Sequence, residues 1–322
     1  MWVLAAFLVG FFAAAVVAPR LAPATPVAAS PSPAPTPSPT PEEDDPQVFA
    51  QPLVAGCGLR EEAYVVSHGG GIARFDGRHW RLIDDTLRDL RAVACMPELV
   101  LAVGDGGRLV RIDPVRREIR SDVIADADLY VVALLDGGTA YVAGDRQVVM
   151  RFANGRWERL GRGEEGTAWR AIFARQPNEV WFAGDHGALF FLDGQTFRDR
   201  SIAGGPDLVA IGPSPTGPSV VGADGRVFTL EPTREVRPAG TVGGLRAYFS
   251  PDGSTLYLLL SDRVLVQRRS AERVPVDTGL TCPPRAMFAS AENVFVLGRD
   301  DGRVGIARSR LGAAAWTKLG NC

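Results

Sequence analysis

Lysine is almost absent from this chain: Lys318 is the only one among 35 basic residues. A net positive charge is absent too, because 37 acidic residues bring the formal balance to -2. A polyanion binder needs a strong basic excess, so nucleic acid is excluded as a charge-driven partner. Histidine is scarce, with three copies, and no H-x-H, C-x-x-C or H-E-x-x-H spacing occurs. The spacing therefore predicts no zinc or copper site; the acidic turns Asp300-Asp301-Gly302 and Glu43-Asp44-Asp45 lack the alternating ligands of a calcium loop, and no metal or cofactor is expected. Aromatic residues make up 8% and are spread along the chain. After residue 18 no helical periodicity of useful length is present, which excludes helical bundles and repeats. What the chain does have is 36 glycines and 24 prolines, the composition of many tight turns.

The one long apolar run is at the start. Residues 2–18 read WVLAAFLVGFFAAAVVA, without a charge. As a helix the run spans roughly 25 Å, at the short limit for a bilayer. It reads as either a cleaved secretory signal or an uncleaved membrane anchor. No Lys or Arg precedes it, which is unusual for a signal. No cysteine lies near it, which argues against lipid attachment. Both readings place the rest of the chain outside the cytoplasm, with a membrane contact through residues 2–18 if these stay attached. Residues 19–49 follow as a Pro/Ala/Ser/Thr-rich linker, in which PSPAPTPSPTPEEDDP cannot bury a core. Such a stretch favours an extended spacer.

Residues 50–322 are periodic. An apolar run ending in a small residue, then a polar turn, recurs as YVVSHGG (64–70), LAVGDGG (101–107), YVAGDRQ (141–147) and WFAGDHG (181–187). Weaker copies are SVVGADG (219–225), YLLLSDR (257–263) and FVLGRDDG (295–302). With Ser67, Gly104, Gly144, Gly184, Gly222, Leu260 and Gly298 as anchors, the spacings are 37, 40, 40, 38, 38 and 38. A strand such as RAVACM (91–96) precedes each anchor. A third and a fourth strand follow, joined by Asp-Gly or Asn-Gly turns. Seven four-stranded antiparallel units predict an all-β, seven-bladed β-propeller. Trp80, Trp157, Phe197 and Trp316 are expected on fourth strands as inter-blade packing. The five tyrosines, Tyr64, Tyr130, Tyr141, Tyr248 and Tyr257, are expected on strands.

The repeat V-x-x-V-G-x-x-G-x-x-x-R-x-D-G-x-x-W resembles those of BNR and YCF48-like (photosystem-assembly-factor) propellers, over residues 50–322. The Asp-box of that group is only approximated: Asp76-Gly77 to Trp80 is one residue short and lacks the leading Ser. The resemblance implies a non-enzymatic binding or assembly scaffold, often exported.

Four cysteines in an exported chain suggest disulfides. Cys57 and Cys95 hold near-equivalent places in blades 1 and 2, and Cys282 and Cys322 bracket blade 7. The expected pairs are Cys57–Cys95 and Cys282–Cys322, with a Cys57–Cys322 clasp as the rival and four free thiols as the remaining alternative. Ring closure is expected to rest on packing between blades 7 and 1, unless residues 47–50 add an edge strand.

No acid stands out from the repeat as a catalytic pair, so no catalytic residue is assigned and an enzyme is not expected. Four arginines do recur at the entry to the first strand: Arg91, Arg170, Arg246 and Arg285, with Tyr130 in the same slot of blade 3 and Trp169 beside Arg170. In a propeller this slot lines the channel mouth. A ring of guanidinium groups there would dock an acidic segment or carboxylate ligand. The competing expectation is that each arginine pairs with a local acid such as Asp89 or Asp128. The function expected is a non-enzymatic, exported or membrane-tethered binding scaffold whose partner is another envelope or secreted protein, or an anionic ligand. The alternatives are a carbohydrate-binding propeller and a glycosidase- or lyase-type enzyme at the mouth.

Overall fold

The apolar runs that end in a small residue are the second strands of seven sheets. In chain order these are Glu62–Ser67, Leu99–Gly104, Thr139–Gly144, Glu179–Gly184, Gly217–Gly222, Thr255–Leu260 and Asn293–Asp300. In the first six the expected anchor is the last residue of the strand; Gly298 lies two residues inside the seventh. Most side chains on these strands are buried in succession rather than alternately. A sheet covered on both faces by neighbouring sheets produces that pattern. The computed structural model describes residues 44–322 except 70, 88, 162–165, 215–216, 232–235, 250–254 and 269–271. The expected signal or anchor at 1–18 and most of the linker at 19–49 lie outside the described residues. Among the described residues no helix is long and apolar enough to cross a membrane.

Each sheet has four antiparallel strands in sequence order, and no strand of one blade completes another. The first strands are Leu53–Leu59, Leu90–Met96, Leu129–Leu135, Trp169–Gln176, Leu208–Ser214, Leu245–Phe249 and Pro284–Ala289. Each lies against the first strand of the next blade, and the last lies against the first, so they form a closed inner ring. The fourth strands, Trp80–Asp84, Glu118–Val123, Arg156–Arg159, Phe197–Asp199, Arg237–Thr241, Val274–Val276 and Thr317–Gly320, pair only with third strands. The chain is thus a seven-bladed β-propeller.

The expected aromatic residues fill the seams between blades. Trp80 is fully buried, 5.2 Å from Phe75 of its own blade and 6.0 Å from Phe295 of blade 7. Phe197 packs against Phe182 and Phe190, and Trp157 against Phe152. Trp316 falls one residue before the last fourth strand and packs at the seam of blades 6 and 7. The ring closes by packing, as expected. Residues 47–50 add no edge strand: Pro46–Phe49 form a single 3-10 turn. Val48 of this turn is buried in the seam of blades 7 and 1. Trp80 N donates to Asp44 Oδ1 at 2.6 Å, and Asp45 N donates to Trp80 O at 2.9 Å. The disulfides are Cys57–Cys95 and Cys282–Cys322, with Cα separations of 5.6 and 5.5 Å. The clasp between Cys57 and Cys322 is not formed.

Candidate functional site

The recurring arginine slot coincides with a β-bulge. In all seven blades the pairing of first and second strands shifts register around one residue: Val54, Arg91, Tyr130, Arg170, Val209, Arg246 and Arg285. A bulge leaves its residue unpaired and re-aims the side chain. Here the flanking residues stay on the packed face, as with Trp169 and Ala171 around Arg170, while Arg170, Arg246 and Arg285 are exposed.

A second feature fixes the geometry. The residue after each anchor donates its backbone N–H to the carbonyl of the residue just before the first strand. The pairs are His68 to Pro52, Asp105 to Asp89, Asp145 to Asp128, Asp185 to Ala168, Ala223 to Asp207, Ser261 to Gly244 and Arg299 to Pro283, at 2.7–3.1 Å. This close approach explains the glycine anchors of blades 2–4. A Cβ on Gly104, Gly144 or Gly184 would lie 2.2, 1.9 or 2.2 Å from the carbonyl oxygen of Asp89, Asp128 or Ala168.

The bulge residue and the post-anchor residue therefore sit side by side, and in blades 2 and 4 they form forked ion pairs. Arg91 Nε and Nη2 donate to the two carboxylate oxygens of Asp105, each at 2.8 Å. Arg170 donates likewise to Asp185, at 2.8 and 3.0 Å. These hydrogen bonds hold both arginines above their ordinary pKa, against partial burial. The Arg91 and Arg170 carbons Cζ lie 5.9 and 5.1 Å from the centre of the Tyr130 ring, so three successive blades converge on that phenol. Burial, and then the charges of Asp128 and Asp145, raise the Tyr130 pKa, which keeps the hydroxyl neutral.

This corrects the expectation of a four-arginine ring. Two of the four are neutralised, and by Asp105 and Asp185 rather than by Asp89 or Asp128. Asp128 instead accepts from Gly106 N at 2.8 Å, and Asp89 lies beside His68. Trp169 does not belong to the face either: it is 2% exposed and packs against Phe182 and Phe190. In blades 6 and 7 the aspartate is missing. Ser261 and Arg299 take its place, and among the described residues Arg246 has no ion pair. Arg285 Nε donates weakly to the Arg299 carbonyl at 3.4 Å. Across the pre-strand, bulge and post-anchor positions, blades 2–5 carry six aspartates and two arginines, while blades 6 and 7 carry three arginines and no acid. A cleft of about 290 Å³ adjoins the latter, lined by Arg285, Arg299, Asp300 and Asp301 beside Pro52. Asp300 is bonded to Arg303, which holds its carboxyl below the usual range.

Tyr64, Tyr141 and Tyr257 are buried strand residues, as expected. His79 is beside Trp80. The expectation of no zinc or copper site rested on local spacing alone. Side chains from three chain segments meet at the seam of blades 1 and 2, where ligand atoms of His68, Asp89 and Asp105 lie within 4.8 Å of one another. Local spacing motifs cannot register a cluster assembled across a repeat boundary.

No protein-family model matches the chain, and no curated protein matches it in sequence. Solved structures do. The WD40 β-propeller domain of Doa1 is 13% identical, with a TM-score of 0.66 over 81% of this chain and 93% of that one. A structure described as YCF48 bound to D1 peptide is 15% identical, with a TM-score of 0.63 over 83% and 95%. The β-propeller domain of Cps50 (Swd1) from Myceliophteria thermophila is 13% identical, with a TM-score of 0.62 over 79% and 95%. At these identities the likeness is one of fold.

Proposed function

We propose that this propeller is an exported or membrane-tethered, non-enzymatic scaffold of the YCF48-like kind. It docks a protein partner that presents an anionic segment on the channel-mouth face. The observation that carries this reading is the charge division of that face. Arg246, Arg285 and Arg299 share a sector without the aspartate that neutralises Arg91 and Arg170. The bulges fix where the backbones of Arg246 and Arg285 stand, and a planar guanidinium can meet a carboxylate with two parallel hydrogen bonds. Two further points support the reading. A propeller of this build, the YCF48 structure, is described with a bound peptide. Both cysteine pairs are bonded, which fits an oxidising compartment outside the cytoplasm.

The test is crosslinking capture from the native envelope with two variants that retain the fold. Arg246→Ala/Arg285→Ala/Arg299→Ala should lose the partner, and Arg91→Ala/Arg170→Ala should keep it. Equal capture by both variants and by the natural protein would remove the mouth face from the account.

A further inference from the structure

We propose that His68, Asp89 and Asp105 bind one divalent transition-metal ion at the seam of blades 1 and 2. His68 occupies the post-anchor position where blades 2, 3 and 4 carry aspartate, so among the described residues this seam places an imidazole opposite two carboxylates. His68 Nδ1 is shielded from solvent and has no hydrogen-bond partner among the described residues. It lies 3.7 Å from Asp89 Oδ1, too far for a hydrogen bond. That separation is near what two ligands of one ion require. With metal–ligand lengths of about 2.0–2.1 Å, neighbouring ligands sit roughly 3.0–3.4 Å apart. An oxygen of Asp105 lies within 4.8 Å of both atoms. The site is only partly covered: the side chains of His68, Asp89 and Asp105 are 41%, 53% and 28% exposed. Three protein ligands therefore leave positions for water or for an incoming carboxylate.

The donor set selects the class of ion. One neutral imidazole nitrogen with two carboxylate oxygens suits zinc or manganese, with zinc the tighter of the two. Magnesium and calcium prefer oxygen alone. Arg91 opposes the ion, because it already donates to both oxygens of Asp105. A carboxylate has about four lone-pair sites, so the pair and the ion can share it at a reduced affinity. The protein contains its own control. His186 Nδ1 lies 3.8 Å from Asp207 Oδ1 at the seam of blades 4 and 5. The post-anchor residue of blade 5 is Ala223 where blade 2 has Asp105, and no third ligand joins His186 and Asp207 among the described residues.

Isothermal titration of the full chain, both disulfides intact, with zinc chloride and separately with manganese chloride tests the proposal. One saturable site per chain is expected, tighter for zinc. His68→Ala and Asp89→Asn should each weaken it by at least about tenfold, the scale on which even outer-shell losses are felt. His186→Ala should leave it unchanged, and Arg91→Leu should tighten it. If His68→Ala fails to fold, the near-isosteric Asp89→Asn still reads the site. Absence of saturable binding, or binding indifferent to Asp89→Asn, would overturn the assignment. So would binding abolished by His186→Ala.

Discussion

In blades 2 and 4 the guanidinium at the bulge lies in the fork of an aspartate from its own blade. In blades 6 and 7 the same backbone holds Arg246 beside Ser261 and Arg285 beside Arg299. The bulge, the backbone hydrogen bond and the first-strand ring are common to both halves. One side chain per repeat is not. The difference shows how a repeat protein changes the charge of one face without changing its fold. Where the acid is kept, arginine is part of an ion pair; where it is replaced, Arg246 has no ion pair among the described residues and Arg285 turns to the Arg299 carbonyl.

The largest expected effect tests whether the irregular half depends on its crosslink. Loops of 38 and 40 residues are closed by the two disulfides. Chain entropy assigns each about 4 kcal/mol. Cys57→Ser/Cys95→Ser and Cys282→Ser/Cys322→Ser should therefore lose similar stability in denaturant. A clearly larger loss for the second pair would show that blade 7, whose Thr281 hydroxyl donates to the Cys322 carbonyl at 2.8 Å, leans on its bond.

Next comes a change that rewrites blades 6 and 7 in the pattern of blades 2 and 4. Ser261→Asp/Arg299→Asp should create the missing forks and weaken partner binding more than about tenfold at low salt. The gap should narrow at 1 M salt, where the screening length falls from about 10 Å to about 3 Å. Affinity unchanged by the swap would mean that the two halves do not differ in function.

The seam of blades 5 and 6 supplies a smaller, pH-dependent effect. The Tyr248 hydroxyl sits between the carbonyls of Ser219 and Gly212, at 2.8 and 3.0 Å. Burial pushes its pKa up to about 12. The neutral phenol is the stable form, so the stabilisation is whole below pH 10 and fades as pH climbs toward about 12. Ultraviolet titration should show one phenol ionising late, and Tyr248→Phe should remove it. That variant should cost about 1 kcal/mol at neutral pH, the scale of one net hydrogen bond.

The smallest effect concerns the turns of the regular half. Gly106, Arg146 and His186 share a left-handed backbone in blades 2, 3 and 4, with φ of 65, 50 and 57°. Only the glycine adopts it without strain. Arg146→Gly should therefore stabilise the protein by up to about 1 kcal/mol, read as a higher midpoint in urea. A loss would show that the Arg146 side chain, which reaches the Asp126 carbonyl, outweighs the strain.

The fold was legible because its signals are local. Each anchor residue, each Asn-Gly or Asp-Gly turn and each fourth-strand aromatic lies within one repeat. The cysteine pairs could be read because equivalent places in adjacent repeats are neighbours in the ring. The slot of Arg91, Arg170, Arg246 and Arg285 was legible for the same reason. Its chemistry was not. The acids that pair with Arg91 and Arg170 stand 14 and 15 residues away, across a strand pair, whereas the nearby Asp89 and Asp128 serve other groups. The recurring Leu-x-Ala around the slot, as in Leu90-Arg91-Ala92 and Leu245-Arg246-Ala247, was the available sign of the bulge.

The most direct measurement places a photocrosslinking amino acid at one position per half: residue 301, in the cleft beside Arg285 and Arg299, and residue 146 in the regular turns. The natural envelope supplies the partner. Adducts from position 301 and none from position 146 are the predicted result. Adducts from position 146 alone would contradict the account, since they would put the partner on the half where every bulge arginine is already paired.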